Sequence, residues 1–226
     1  MMHRLSSRIV LAVALFIACG TPPAQAELIA WNVDTAIPDN EPMGLQNSQT
    51  LSGFTDVIGS IEVRLTLTGG PLAYNGDFFI SLQCANGGYA VLLNRVGRTA
   101  SDPLGYSENG FDITFSFLAS DVHLYQDFSP TYDSTGRLTG TWSPDARETD
   151  PDSVLDVDLR TANLDSFFGI DPNGDWTLFV ADMNGNGSAT LDSWGLNIFI
   201  IPEPAPLALL ALGACALTFR RRRTGS

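Results

Sequence analysis

The chain has 226 residues, with 12 basic side chains, all arginine, against 25 acidic ones. In residues 27–201 six arginines stand against 24 acids, a net −18; that charge repels phosphates and anionic headgroups and argues against a nucleic-acid partner. Of the three cysteines only Cys84 lies in this region, which rules out a disulfide scaffold or a zinc cluster there.

Residues 1–26 are predicted to be a cleavable secretory signal peptide. His3, Arg4 and Arg8 make its basic start, residues 9–18 its apolar core, and Ala24-Gln25-Ala26 its small-residue end. Signal peptidase would cut between Ala26 and Glu27. Ten apolar residues make a helix of about 15 Å, against roughly 30 Å of hydrocarbon, too short for an anchor. Acylation at Cys19 is the alternative, but Phe16-Ile17-Ala18 is a poor approach to a lipoprotein cysteine.

Residues 27–201 read as one all-β domain, an antiparallel jelly-roll or β-sandwich. Apolar residues recur every second position in 61–68, 111–117 and 155–159, the pattern of half-buried strands. Segments 176–181 and 194–201 are apolar on both faces, as central strands are, and 78–82, 89–93 and 138–142 are shorter candidates. Asn-Gly pairs at Asn75, Asn86, Asn109, Asn173, Asn184 and Asn186 supply turns, and no amphipathic helix of ten residues is apparent. The polar stretch 127–152 is expected to be an exposed excursion around the strand 138–142.

Several residues are candidates for chemistry. From Asp182 the sequence runs Asp-Met-Asn-Gly-Asn-Gly-Ser-Ala-Thr-Leu-Asp-Ser. Asp182, Asn184, Asn186, Ser188 and Thr190 occupy the oxygen-ligand positions of a calcium loop. The bidentate carboxylate at its twelfth position is missing, with Asp192 one place early. Calcium is thus the one cofactor suggested; the alternative is a polar hairpin loop in which Asn-Gly pairs supply positive φ. Asp171, Asn173 and Asp175 form a second cluster at the far end of the same strand, over 20 Å away at about 3.3 Å per residue, so the two cannot share an ion. His123 and Cys84 could in principle pair as base and nucleophile, but no nucleophile elbow accompanies them. Asp156 and Asp158, two apart on one expected strand face, could serve as a glycosidase pair. Structural roles are the simpler account of all four, and no catalytic residue is assigned. Trp142, Trp176 and Trp194, with Tyr132, could form the stacking platform of a carbohydrate-binding module.

The run from Asp171 to Asp182, Asp-Pro-Asn-Gly-Asp-Trp-Thr-Leu-Phe-Val-Ala-Asp, continues to Gly187, Leu191 and Ser193-Trp194-Gly195-Leu196. It resembles the closing hairpin of the proprotein convertase P domain (P/Homo B domain). Ala36-Ile37-Pro38-Asp39-Asn40, Gly76-Asp77 and Gly140-Thr141-Trp142-Ser143-Pro144 follow that family's order, so the likeness extends over 36–200. Departures fall after Leu82 and in the acidic insert near Asp150. The resemblance implies a β-sandwich that, in convertases, stabilises a subtilisin-like catalytic domain without cutting bonds.

At the C-terminus, Pro202-Glu203-Pro204 precedes residues 205–219, which carry no charge, and then Arg220-Arg221-Arg222-Arg223. About fifteen apolar residues form a short helix suited to transient membrane contact, with the arginines favouring the cytoplasmic side. This order resembles the PEP-CTERM sorting signal, which implies that residues 202–226 are handled by an exosortase cutting near Pro202-Glu203-Pro204. The expected product is a non-enzymatic protein of the cell surface or extracellular matrix, structural or adhesive in a polysaccharide or biofilm layer. The alternatives are a carbohydrate-binding module, a protease-type accessory domain, or a hydrolase with an unrecognised site.

Overall fold

Alternating burial organises the chain into ten strands, in a computed structural model that describes residues 25–201. They are β1 (Gln25–Ile37), β2 (Leu45–Leu51), β3 (Val57–Gly69), β4 (Phe78–Cys84), β5 (Tyr89–Asn94), β6 (Gly110–Ser116), β7 (Thr131–Tyr132), β8 (Leu138–Trp142), β9 (Gly174–Asp182) and β10 (Ala189–Ile201). One sheet has the order β1-β10-β3-β6-β8-β7 and the other β2-β9-β4-β5. Neighbours pair antiparallel except β6 and β8, which run parallel, a departure from the purely antiparallel sheets expected. The helical pieces among the described residues are short 3-10 segments, Asn75–Asp77, Val122–Phe128 and Leu164–Phe167.

The two sheets face each other across one hydrophobic core. From the larger sheet Val63, Leu65 and Leu67 of β3, Phe111, Ile113 and Phe115 of β6, and Trp194, Leu196 and Ile198 of β10 point inward. Ile80 and Leu82 of β4 and Trp176, Leu178 and Val180 of β9 meet them from the other side. Side chains alternate across a strand, so each of these sets comes from one phase of the period-two pattern. On the outer face of the smaller sheet Phe79 and Phe179 meet edge to face, with ring centroids 6.0 Å apart, which explains the apolar character of both phases of β9.

β2 carries no apolar alternation in the sequence, whereas β1 does, with Ile29, Trp31 and Val33 at alternate positions packed against the core. β1 and β2 lie at sheet edges, where half the positions face water. The polar β2 is tied into the fold through its backbone pairing with β9 and through Asn47, whose Oδ1 accepts the Trp194 indole N–H at 2.8 Å.

Two expectations are corrected. Residues 155–159 form a turn, not a strand: Asp158 Oδ2 accepts from the Leu155 N–H at 3.0 Å, and the Asp158 N–H returns to the Leu155 carbonyl at 3.1 Å. Their alternation reports turn closure by an acidic side chain; Val157 and Leu159 are exposed, and Asp156 and Asp158 share no strand face. The excursion 127–152 does contain β8, but its end is not exposed. Ser143, Asp145, Ala146 and Arg147 are buried, and the Asp145 and Ala146 N–H groups donate to the Leu92 and Val91 carbonyls of β5. The insert covers a sheet edge that would otherwise present unpaired backbone groups.

Ala26 and Glu27, the expected cleavage pair, lie in β1 opposite Phe199 and Ile198. Gln25 lies in β1 as well, while residues 1–24 of the expected signal peptide, and the tail 202–226 with Pro202, Glu203 and Pro204, lie outside the described residues. Among those described, no helix is long and apolar enough to cross a membrane.

Candidate functional site

The β9–β10 hairpin, the turn before β4 and the loop after β1 converge at one end of the sandwich. Asp182 closes β9 opposite Phe78 of β4, and the Met183 N–H donates to the Asp77 carbonyl at 2.8 Å. The two backbones are therefore fixed side by side, and both carboxylates are buried, Asp77 2% and Asp182 1% exposed. Asp182 Oδ1 accepts the Asn184 N–H at 3.1 Å, and Asp77 Oδ2 accepts the Tyr74 N–H at 3.0 Å. From the third segment, the Asp39 carboxylate accepts the Asn186 and Gly187 N–H groups at 3.2 and 3.3 Å. Gly187 is required here, since a Cβ would lie 2.7 Å from the Ala73 backbone, and Asn186 takes φ 80°, which favours short polar residues or glycine.

Burial pushes the Asp182 carboxyl up to about 6; the Asn184 N–H opposes the rise, and the Asp77 and Asp39 charges add to it. Burial likewise raises Asp77, against the Tyr74 and Asn184 hydrogen bonds. The buried Arg95 guanidinium opposes the rise of both carboxyls; its Nε donates to the Gly76 carbonyl, and neither carboxylate has a cation within 4.0 Å among the described residues.

The other residues of the calcium-loop pattern go elsewhere. The Ser188 carbonyl accepts the Gly70 N–H at 2.7 Å, and Thr190 sits in β10 opposite Thr68 and Ala36. Asp192 Oδ2 accepts from Thr68 Oγ1 at 2.6 Å and lies 3.6 Å from Arg137 Nη1. The hairpin thus brings Asp182 and Asn184 together, sends Asp192 to the neighbouring strand, and meets two carboxylates, Asp77 and Asp39, that the loop pattern does not contain. Gly76-Asp77 and Asp39 were visible only as parts of the family likeness. No group of three or more His, Cys, Asp or Glu side chains suited to a metal occurs among the described residues. In the second cluster Asn173 donates to Asp171 Oδ1 and Asp175 Oδ1 accepts from Thr50 Oγ1, so these groups cap the turn and strand.

His123 lies in the 3-10 segment Val122–Phe128 and is fully buried. Its Nδ1 is 2.7 Å from Asp145 Oδ2 and its Nε2 3.0 Å from the Arg98 carbonyl. Both partners only accept, so both ring nitrogens donate and the ring is an imidazolium. Burial opposes that charge, but the hydrogen bond and charge of Asp145 and the Arg98 carbonyl outweigh it and raise the pKa. A ring with both nitrogens donating has no lone pair to take a proton. Cys84 is buried, and burial pushes its thiol up, the reverse of an activated nucleophile. In the folded protein Cys84 is expected to resist a thiol reagent and to react on unfolding, as peptide mapping of the labelled site would show.

Trp142 is buried, only 6% exposed, donates its indole N–H to the Thr139 carbonyl at 3.0 Å, and packs on Tyr125. This corrects the expectation of a free stacking face. Tyr132 is exposed, with its hydroxyl on Glu108 at 3.1 Å.

The fold and this end of it define a two-sheet β-sandwich closed by a Trp-bearing hairpin. The profile of the family described as the proprotein convertase P-domain matches residues 58–198, more than half of the chain, and the chain belongs to that family. Among solved structures it is similar to a serine protease of Aeromonas sobria in complex with the chaperone ORF2, at 15% identity and a TM-score of 0.43. That match covers 81% of this chain and 28% of the protease. The same protease by itself matches at 14% and 0.42, over 79% and 27%. The chain thus spans under a third of the length of those proteins. No match was found among curated proteins.

Proposed function

We propose that the chain is a non-enzymatic exported protein whose P-domain sandwich serves a structural or adhesive role at the cell surface, in an extracellular polysaccharide or biofilm layer. Signal peptidase would release it at Ala26–Glu27, and an exosortase would process it near Pro202-Glu203-Pro204 after transient membrane contact. The strand orders β1-β10-β3-β6 and β2-β9-β4-β5 support reading the sandwich as a jelly roll.

The observation that carries the reading is the setting of this domain: a P-domain sandwich between a basic-then-apolar segment and an apolar stretch followed by four arginines. The buried imidazolium at His123 and the shielded thiol at Cys84 support a role without bond cleavage. Mass spectrometry of both ends of the native protein tests the proposal. The expected mature chain starts at Glu27 and has lost residues after the Pro-Glu-Pro segment. A chain that keeps Met1 and Ser226 in the cell envelope would overturn it.

A further inference from the structure

We infer that the end of the sandwich bearing Phe117, Leu118, Phe168 and Ile201 lies against a zwitterionic lipid surface while residues 205–219 are inserted in the membrane. This rests on the export reading, which places those residues there, and adds a contact made by the folded domain itself.

The first and last strands leave the sandwich at the same place. Gln25, which opens β1, pairs with Ile200 near the end of β10. The apolar stretches 9–18 and 205–219 are therefore attached at one end of the domain. The four steps from Ile201 to Ala205 reach at most about 14 Å, so a membrane that holds 205–219 comes that close to this end.

The exposed apolar side chains here come from three separate segments. β6 runs in the same direction as β10, and its last residue, Ser116, stands level with Asn197 across Glu62 of β3. Phe117 and Leu118 follow it toward the end of β10, and Leu118 is 90% exposed. Phe117 meets Phe168 edge to face, with ring centroids 6.0 Å apart. The segment after Phe168 is fixed to β3: the Gly169 N–H donates to the Ile58 carbonyl at 2.7 Å, and the Ile58 N–H to the Ile170 carbonyl at 2.9 Å. Ile58 pairs with Ile200, and a Cβ on its neighbour Gly59 would run into the Ile201 side chain. Single exposed apolar residues are ordinary, but a set gathered at one end marks a contact surface.

Lipid is the occupant that the attachment dictates. Anchoring through 205–219 makes the second contact intramolecular, so a modest apolar surface suffices. The rim disfavours an anionic bilayer: Glu27 and Asp56 line one shallow recess with Phe54 and Ile200, and residues 27–201 carry a net −18. Neutral phosphocholine headgroups let the apolar side chains sink into the interface.

The full chain in phosphatidylcholine vesicles, with and without bromine on the acyl chains, tests the contact, because bromine quenches indole emission at close range. Leu118→Trp puts an indole on the face. Met43→Trp, equally exposed, puts one at the opposite end, beside the start of β2 and the close of β9. Brominated lipid is expected to quench the emission added at 118 and to leave that added at 43 unchanged. Equal quenching at both positions, or none at 118 in chains that pellet with the vesicles, would overturn the face alone. Chains that do not pellet would overturn the membrane reading of the tail and the face with it. An indole at 118 already shielded from water before lipid is added would mean that a second copy or residues 205–219 cover the face, and would overturn the lipid contact.

Discussion

Arg147→Met is expected to cost about 3–5 kcal/mol of stability, the range for removing one partner of a buried ion pair. The Arg147 guanidinium is buried and donates to Asp145 Oδ1 and to Asp121 Oδ2, each at 3.0 Å, and to the Asp156 carbonyl at 2.7 Å. Methionine keeps much of the apolar stem but leaves Asp145, fully buried, with one charged partner, His123. Adding Asp145→Asn should recover part of the loss, because the stranded charge goes with it. A chemical denaturation series on the four proteins of this double-mutant cycle gives the coupling directly. An Arg147→Met chain within about 1 kcal/mol of the parent would show that the network is not what pins the insert to β5.

The same network sets a pH dependence. His123 has a folded pKa raised above its unfolded value of about 6.5. The folded state therefore binds the proton more tightly, and the stabilisation is fully present below pH 6.5. It is lost as the pH rises through the folded pKa. Asp182 titrates near 6, so the slope is best read from pH 7 upward. There the parent should lose stability with rising pH, and His123→Gln should show a flatter profile. A parent profile that is level or rising above pH 7 would contradict the imidazolium.

The strands that build the core were legible because burial imposes a period of two on β3, β6 and β10, and turn residues bound them. β2 was not, because an edge strand can be polar at most positions and draw its stability from backbone pairing; β1 went unread although Ile29, Trp31 and Val33 alternate along it and pack on the core. The alternation of 155–159 misled for the complementary reason: acidic residues that close turns can mimic a strand pattern without any neighbour to pair with. The candidate site was half visible. Asp182 and Asn184 announce a polar, oxygen-rich loop, whereas its buried partner Asp77 comes from a turn far earlier in the chain, and only the β4–β9 pairing brings the two together. The ion network was hidden most completely. Asp145 and Arg147 lie in a stretch whose composition reads as solvated, and the arginines that make it buried are scarce in a strongly acidic domain.

Trp176→Ala is expected to produce a loss of similar size, about 3–5 kcal/mol, from cavity formation. The Trp176 side chain is fully buried, its ring centroid is 5.0 Å from that of Phe167, and its indole N–H donates to the Pro172 carbonyl at 2.9 Å. It thus ties the first residues of β9 to the turn before it and to the 3-10 segment Leu164–Phe167, three pieces adjacent in space but held by no common sheet. Neighbouring strands cannot collapse into the space without breaking the β2–β9 and β4–β9 pairing that flanks it on both sides. Trp176→Phe, which keeps most of the ring volume and drops only the hydrogen bond, should lose roughly 1 kcal/mol. The contrast between the two substitutions is the informative quantity in a denaturant series. If Phe and Ala were equally damaging, the hydrogen bond to Pro172 and not the packing would be what holds the hairpin on the sandwich.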